Sequence, residues 1–181
     1  MRLFTAIVPP PEVLGHLEAA VKPIRDEAVS WTLPEAWHLT LAFYGEVADE
    51  RVLDLSERLR RAAARYPVMQ LRLASAGRFD GRVLWIGCDG PVDELRRLAR
   101  SCVAAGRRAG ASGREHSRFR PHLTLARAQR PVDLRPYVSA LAQYAGPAWT
   151  AADAALVRSH LGQGPGRRAR YESISTFPLA S

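Results

Sequence analysis

One pentapeptide occurs twice in this chain and limits what the chain can become. His38-Leu39-Thr40-Leu41-Ala42 returns residue for residue as His122-Leu123-Thr124-Leu125-Ala126, 84 positions later in a sequence of 181. A solenoid needs more copies at a shorter period. Two copies at this separation describe two similar halves, each supplying one strand. Side chains alternate between the faces of a strand. That sets His38, Thr40 and Ala42 on one face and Leu39, Leu41 and Phe43 on the other, with His122, Thr124 and Ala126 grouped in the same way. An imidazole and a hydroxyl two residues apart stand about 6.6 Å from each other along a strand, close enough to hold one small polar group together. The alanines leave space beside them, and the leucines pin each strand to a core.

The remaining segments supply elements for such halves. Leu3 to Val8 is a short apolar run stopped by Pro9-Pro10-Pro11, which suits a buried strand. Val13, Leu14, Leu17, Ala20, Val21 and Ile24 recur at helical spacing over residues 12–27, with Pro23 set to end or kink that helix. Val29 to Thr32 reads as a brief strand. A second helix is expected over residues 49–66 with Asp49 as its cap, and a third over residues 91–108. Met69, Leu71 and Leu73 alternate with polar residues, and an Asp80-Gly81 turn joins that strand to Val83–Cys88 as a hairpin. Residues 132–144 form a short helix with Pro136 in its first turn. Residues 149–161 are expected as one strand and residues 170–177 as the last. Strands outnumber helices and come partly as hairpins, so an α+β fold with largely antiparallel sheets fits better than a doubly wound parallel one.

Composition narrows the partners. The formal net charge is +8, the sequence pI is about 10.4, and Lys22 is the sole lysine. Arginine offers a planar fork of donors that suits phosphate, although an arginine-biased composition spread over solvated helix faces would give the same total. Cys88 and Cys102 have no CxxC spacing. They read as small buried apolar residues in a reducing compartment, with no metal site and no disulfide framework. No stretch approaches the roughly 20 apolar residues that span a bilayer, and the apolar N-terminus is too short for a signal peptide. A cytoplasmic protein is expected.

Two His-x-Thr pairs facing one cleft can do acid–base work. Imidazole titrates near pH 6.5, so one ring can accept a proton while the other donates, and threonine hydroxyls can bond the non-bridging oxygens of a phosphate. That set suits phosphodiester cleavage without a metal. One copy alone would read as a half-buried strand with a histidine at its edge; the duplication favours chemistry. His16, His116 and His160 lack a threonine partner and read as surface or packing residues. Gly162–Gly166 lacks the Lys-Ser/Thr ending of a phosphate loop and reads as a turn.

These motifs resemble those of the two-histidine (2H) phosphoesterases, and within them the bacterial and archaeal RNA 2′,3′-cyclic phosphodiesterases, also called 2′-5′ RNA ligases. The likeness extends over Met1–Ile7, Trp31–Val47, Arg82–Gly87, Phe119–Arg127, Leu156–Leu161 and Tyr171–Ile174, and so over nearly the whole chain. It implies a single domain over residues 1–181, bilobal and α+β, with two pseudo-symmetric lobes around a central groove. It implies hydrolysis of a 2′,3′-cyclic phosphate end to a 2′-phosphomonoester, reversible 2′-5′ joining of RNA ends, and no metal or other cofactor. Carried onto this chain, His38 and His122 are the catalytic pair, with His122 preferred as base and His38 as acid. Thr40, Thr124 and Arg127 hold the phosphate. Strict alternation places Arg127 on the face opposite His122, so a twist or bulge is required. Phe119 is a base-stacking candidate and Arg118 and Arg120 are backbone guides. Other readings are a phosphodiesterase for 2′-5′ oligonucleotides or small cyclic nucleotides, and a non-catalytic RNA-binding protein. The expected partner is RNA bearing a cyclic phosphate or a 2′-5′ linkage, with no membrane, no obligate protein partner and a monomeric state.

Overall fold

In the computed structural model of the chain, residues 1–111, 119–164 and 168–181 are described. In chain order the elements are β1 (Arg2–Ile7), α1 (Pro11–Val21), β2 (Ser30–Trp31), β3 (Leu39–Glu46), α2 (Asp49–Ala63), β4 (Met69–Phe79), β5 (Val83–Asp89), α3 (Val92–Arg108), β6 (His122–Arg127), α4 (Arg135–Leu141), β7 (Ala145–Ala151), β8 (Asp153–His160) and β9 (Arg170–Pro178).

The strands join into one sheet of order β7-β4-β5-β6-β3-β1-β8-β9, with β2 added alongside β6. Every pairing within it is antiparallel. At its centre β3 and β6 meet through one residue pair, Leu39 opposite Leu123. These are the same residue of the two copies, so the pseudo-twofold axis passes between them. Four strands lie to each side, and the lobes exchange chain: β4, from the first half, pairs with β5 and β7, while β8 and β9, from the C-terminus, complete the lobe of β1 and β3.

All four helices contribute to the core on one face of the sheet. Val13, Leu17 and Val21 of α1, Leu55 and Leu59 of α2, Leu95, Leu98 and Cys102 of α3, and Leu141 of α4 pack with Leu3, Leu39, Leu71, Leu84 and Leu123 of the strands. A smaller cluster of Phe4, Ala6, Ala155 and Val157, with Tyr171 against it, lies apart from this core. In β1, Leu3 and Ile7 go to the main core while Phe4 and Ala6 go to the small cluster, as the period of two requires.

Most elements match expectation, and the exceptions have physical reasons. Pro10 caps α1 with Pro11 in its first turn, and a 3-10 turn at Lys22–Ile24 containing Pro23 ends it. The Asp80-Gly81 turn has positive φ at both residues (48° and 63°) and closes with Arg82 N–H donating to Phe79 C=O at 2.9 Å, the twist a two-residue hairpin favours. Asp49 is not the cap of α2. Ala48 holds that place without a side-chain bond, and the Asp49 carboxylate lies 3.9 Å from the Met1 amine. The single strand expected over residues 149–161 is two strands that break at Ala152 and go to opposite lobes, β7 to the edge beside β4 and β8 between β1 and β9. Apolar residues run on both sides of Ala152, so hydropathy alone could not mark the break.

Candidate active site

The two copies of the repeat are bulged at the same residue. In β1–β3, Ala6 faces Thr40 and Thr5 faces Ala42, leaving Leu41 as the extra residue. In β5–β6, Trp85 faces Thr124 and Leu84 faces Ala126, leaving Leu125. A bulge of one residue reverses the face of everything after it. The burial follows: Leu39, Leu41 and Ala42 go inward with Leu123, Leu125 and Ala126, each 4% exposed or less, while Phe43 is 42% exposed. Phe43 therefore joins Thr40 on the groove face, and Ala42 and Ala126 lie in the core, contrary to strict alternation. The same bulge turns Arg127 to the face of His122 and Thr124, which resolves the conflict that alternation posed. Phe43 and Arg127 are thus equivalent positions of the two half-sites. Continuing the antiparallel register out from Leu39–Leu123 sets His38 beside Thr124 and Thr40 beside His122, so each histidine is flanked by the threonine of the other copy.

Each imidazole is held in an aromatic box. His38 stacks on Phe4 (ring centroids 4.6 Å, interplanar angle 29°) and meets Tyr171 edge-on at 5.2 Å. Phe4 and Tyr171 also touch, at 5.4 Å. His122 meets Phe79 edge-on at 4.9 Å and lies 6.3 Å from Trp85, and Phe79 and Trp85 are 5.2 Å apart. The backbone completes the boxes. His122 Nδ1–H donates to the carbonyl of Arg120 at 2.8 Å, since a carbonyl can only accept, and His38 bonds the backbone at Ala36. Each ring is thus tied to the residue two places upstream. The bond to Arg120 fixes the tautomer and orientation of the His122 ring. Arg120 also lays its guanidinium over the Trp85 ring at 5.5 Å.

Burial pushes the His38 imidazole down to about 4; the bond to Ala36 opposes this, and the charge of a protonated His122 adds to it. His38 is therefore neutral near pH 7. Its neutral form is the one the fold favours, so the stability it supports is complete above pH 6.5 and is lost as pH falls from there toward 4. Comparing urea unfolding at pH 7.5 and 4.5, the wild type should lose on the order of 2 kcal/mol more than His38→Gln. Equal losses in the two proteins would mean that burial does not hold the ring neutral.

Other sequence candidates separate clearly. Phe119 is half-buried and packs against the core, which favours a packing role over stacking. Arg120 is exposed. Arg118 and His116 lie outside the described residues, as does part of the expected turn at 162–166. His16 bonds the Tyr144 hydroxyl at 3.0 Å and His160 bonds Glu172 at 2.7 Å, so both have structural partners. Cys88 and Cys102 are buried free thiols pushed up to about 12 by burial, hence inert. Among the described residues no three His, Cys, Asp or Glu side chains gather as a metal site, and no helix is long and apolar enough to cross a membrane. The sequence reading missed Phe4, Phe79 and Trp85 as site residues and took Tyr171 only as strand. Their one signal, aromatic residues within strands, is shared with any core residue.

Known proteins share this fold. The family model of the 2′-5′ RNA ligase superfamily matches residues 9–163. The RNA 2′,3′-cyclic phosphodiesterase of Escherichia coli is 34% identical over 149 residues, covering 75% of this chain and 77% of its own. The one from Thermus thermophilus is 34% identical over 182 residues, covering 89% and 83%. Against the namesake from Geobacillus stearothermophilus, 28% identical, the chain spans 48% of the relative's length. Among solved structures, apo E. coli LigT superposes with a TM-score of 0.80 at 28% identity, over 99% of this chain and 98% of that one. The duplicated half-site, the bilobal antiparallel sheet and these likenesses agree: the chain belongs to the 2′-5′ RNA ligase superfamily.

Proposed function

We propose that this protein is an RNA 2′,3′-cyclic phosphodiesterase. It opens the cyclic phosphate at an RNA end to a 2′-phosphomonoester and a free 3′-hydroxyl, and it can also join ends through a 2′-5′ linkage. The observation that carries the reading is the pairing of Leu39 with Leu123, which brings two His-x-Thr half-sites to one groove. Relatives sharing a third of its residues carry that name, and E. coli LigT, of the same fold, has been crystallised with phosphate and with 3′-AMP. The groove's aromatic lining suits an unpaired RNA end, with Phe43, on the rim of the His38 half-site, as the platform for its base. The working unit is taken as one domain over residues 1–181, monomeric and cytoplasmic.

The chemistry needs one proton taken and one given. His38 is half-buried and enters neutral, and is assigned here as the acceptor: it takes the proton of the attacking water as that oxygen bonds to phosphorus. The bond from phosphorus to O3′ breaks, and His122 Nε2 gives O3′ its proton. This is the opposite of the order preferred from sequence, in which His122 was the base and His38 the acid. In joining, a 5′-hydroxyl takes the place of water and the same two transfers follow. Thr40 and Thr124 donate to the non-bridging oxygens, and Arg127 offsets the charge that builds on them.

Incubating the protein with adenosine 2′,3′-cyclic phosphate should give adenosine 2′-phosphate at a rate unchanged by excess EDTA. A 3′-phosphate product, or loss of turnover on chelation, would sink the reading. If the protein retains an RNA end without turning it over, the binding-protein alternative holds instead.

A further inference from the structure

We propose that α2 and α3 form a second nucleic-acid surface, on the helix side of the sheet, that holds the duplex body of the RNA whose end occupies the groove. The proposal rests on the RNA-end reading above. The span from Asp49 to Arg65 and the span from Val92 to Arg108 together hold ten arginines against six carboxylates. The carboxylates are not spread evenly. Asp49 and Glu50, and Asp93 and Glu94, occupy the first turns of their helices, where the helix dipole favours them. The C-terminal part of α2 and the middle of α3 are left cationic.

These two stretches are neighbours. The Tyr66 hydroxyl, just beyond α2, bonds the Arg97 carbonyl at 3.0 Å and the Ser101 hydroxyl at 2.7 Å. Arg60, Arg61, Arg65 and Arg100 are all exposed. None of the four is ion-paired among the described residues, while Arg58, Arg96 and Arg97 each have a carboxylate on their own helix. Four unneutralised guanidinium groups on adjoining helix faces are a footprint for a phosphate backbone.

The chemistry of the surface selects the form of the RNA. Proteins hold single strands by stacking bases on aromatic rings, and neither α2 nor α3 contains an aromatic residue. A surface that offers charge without rings reads backbone alone, which is how double-stranded RNA is held. The groove has the opposite character, with Phe4, Phe43, Phe79, Trp85 and Tyr171 around the histidines. The two surfaces are also connected: α2 packs beneath β8 and β9, and β9 is the edge strand that puts Tyr171 against His38. An RNA that leaves the groove over this edge reaches the arginines of α2.

The test compares the wild type with a variant carrying Arg60→Gln, Arg61→Gln, Arg65→Gln and Arg100→Gln, and with the matching four Arg→Lys changes. Adenosine 2′,3′-cyclic phosphate should be turned over equally by all three proteins. For a folded RNA of about 70 nucleotides ending in a 2′,3′-cyclic phosphate, the glutamine variant should show a KM raised tenfold or more at 50 mM salt. Its slope of log affinity against log salt should be shallower by about three, and the lysine variant should stay near wild type. Binding of the same RNA with a plain 3′-hydroxyl should weaken in parallel, a measurement that stands even if no cyclic phosphate is hydrolysed. An unchanged KM and salt slope for the folded RNA would overturn the proposal. So would an equal loss on a single-stranded oligonucleotide of the same charge.

Discussion

His122→Ala is expected to slow cyclic-phosphate opening by about 10²- to 10⁴-fold, the range a positioned proton donor supplies, with His38→Ala falling in the same range. Affinity for RNA should change little, since Thr40, Thr124 and Arg127 remain. The two variants separate by leaving group. A substrate with sulfur in place of O3′ leaves without needing a proton, so it should restore much of the rate to His122→Ala and little to His38→Ala. Rescue of His38→Ala instead would exchange the two roles and return them to the order that sequence alone preferred. Full activity in both alanine variants would remove the mechanism altogether.

Gly77→Ala is the second large effect, from a residue that touches no substrate. Gly77 faces Trp85 across the β4–β5 hairpin. A Cβ there would lie 2.2 Å from Cζ2 and 2.4 Å from Cη2 of that indole. The ring must move, and both supports of His122 rest on it: Phe79 packs against it, and the Arg120 guanidinium lies over it. Overpacking of this kind costs about 1–3 kcal/mol of stability. A displacement near 1 Å at a catalytic group can cost about 10²-fold in rate. We expect kcat to fall by that order with KM nearly constant, and Gly77→Ala/Trp85→Phe to recover to within about tenfold of Trp85→Phe alone. A Gly77→Ala protein with wild-type kcat would show that the indole seat does not set the position of His122.

How much was legible in the sequence follows from the range of each interaction. The identical pentapeptides carried the proposed catalytic pair and the symmetry of the fold, because a period of two and a repeat are local properties. Asp80-Gly81 and Pro23 marked a turn and a helix end for the same reason. The bulges at Leu41 and Leu125 were not legible. A looped-out leucine looks like any strand leucine, and only the opposite strand shows that it has no partner. Arg127 carried a hint, since the cation proposed for the phosphate stood on the wrong face of an ideal strand. The boxes of Phe4 with Tyr171 and Phe79 with Trp85 depend on pairings between distant strands, and aromatic residues in strands serve cores as readily as sites. Ala152 gave no sign because apolar strands ran on both sides of it.

The exchange of strands between lobes also orders events in time. His38 lies early in the sequence, but one wall of its box is Tyr171, on β9, which is made after both histidines. A nascent chain that has released both histidines from the ribosome still lacks β8 and β9, so the edge of β1 stands open and His38 has Phe4 on one side and solvent on the other. His38 gains its second aromatic wall only when Tyr171 of β9 has emerged and paired. A chain stopped before Tyr171 holds both motifs but only one wall of the first box.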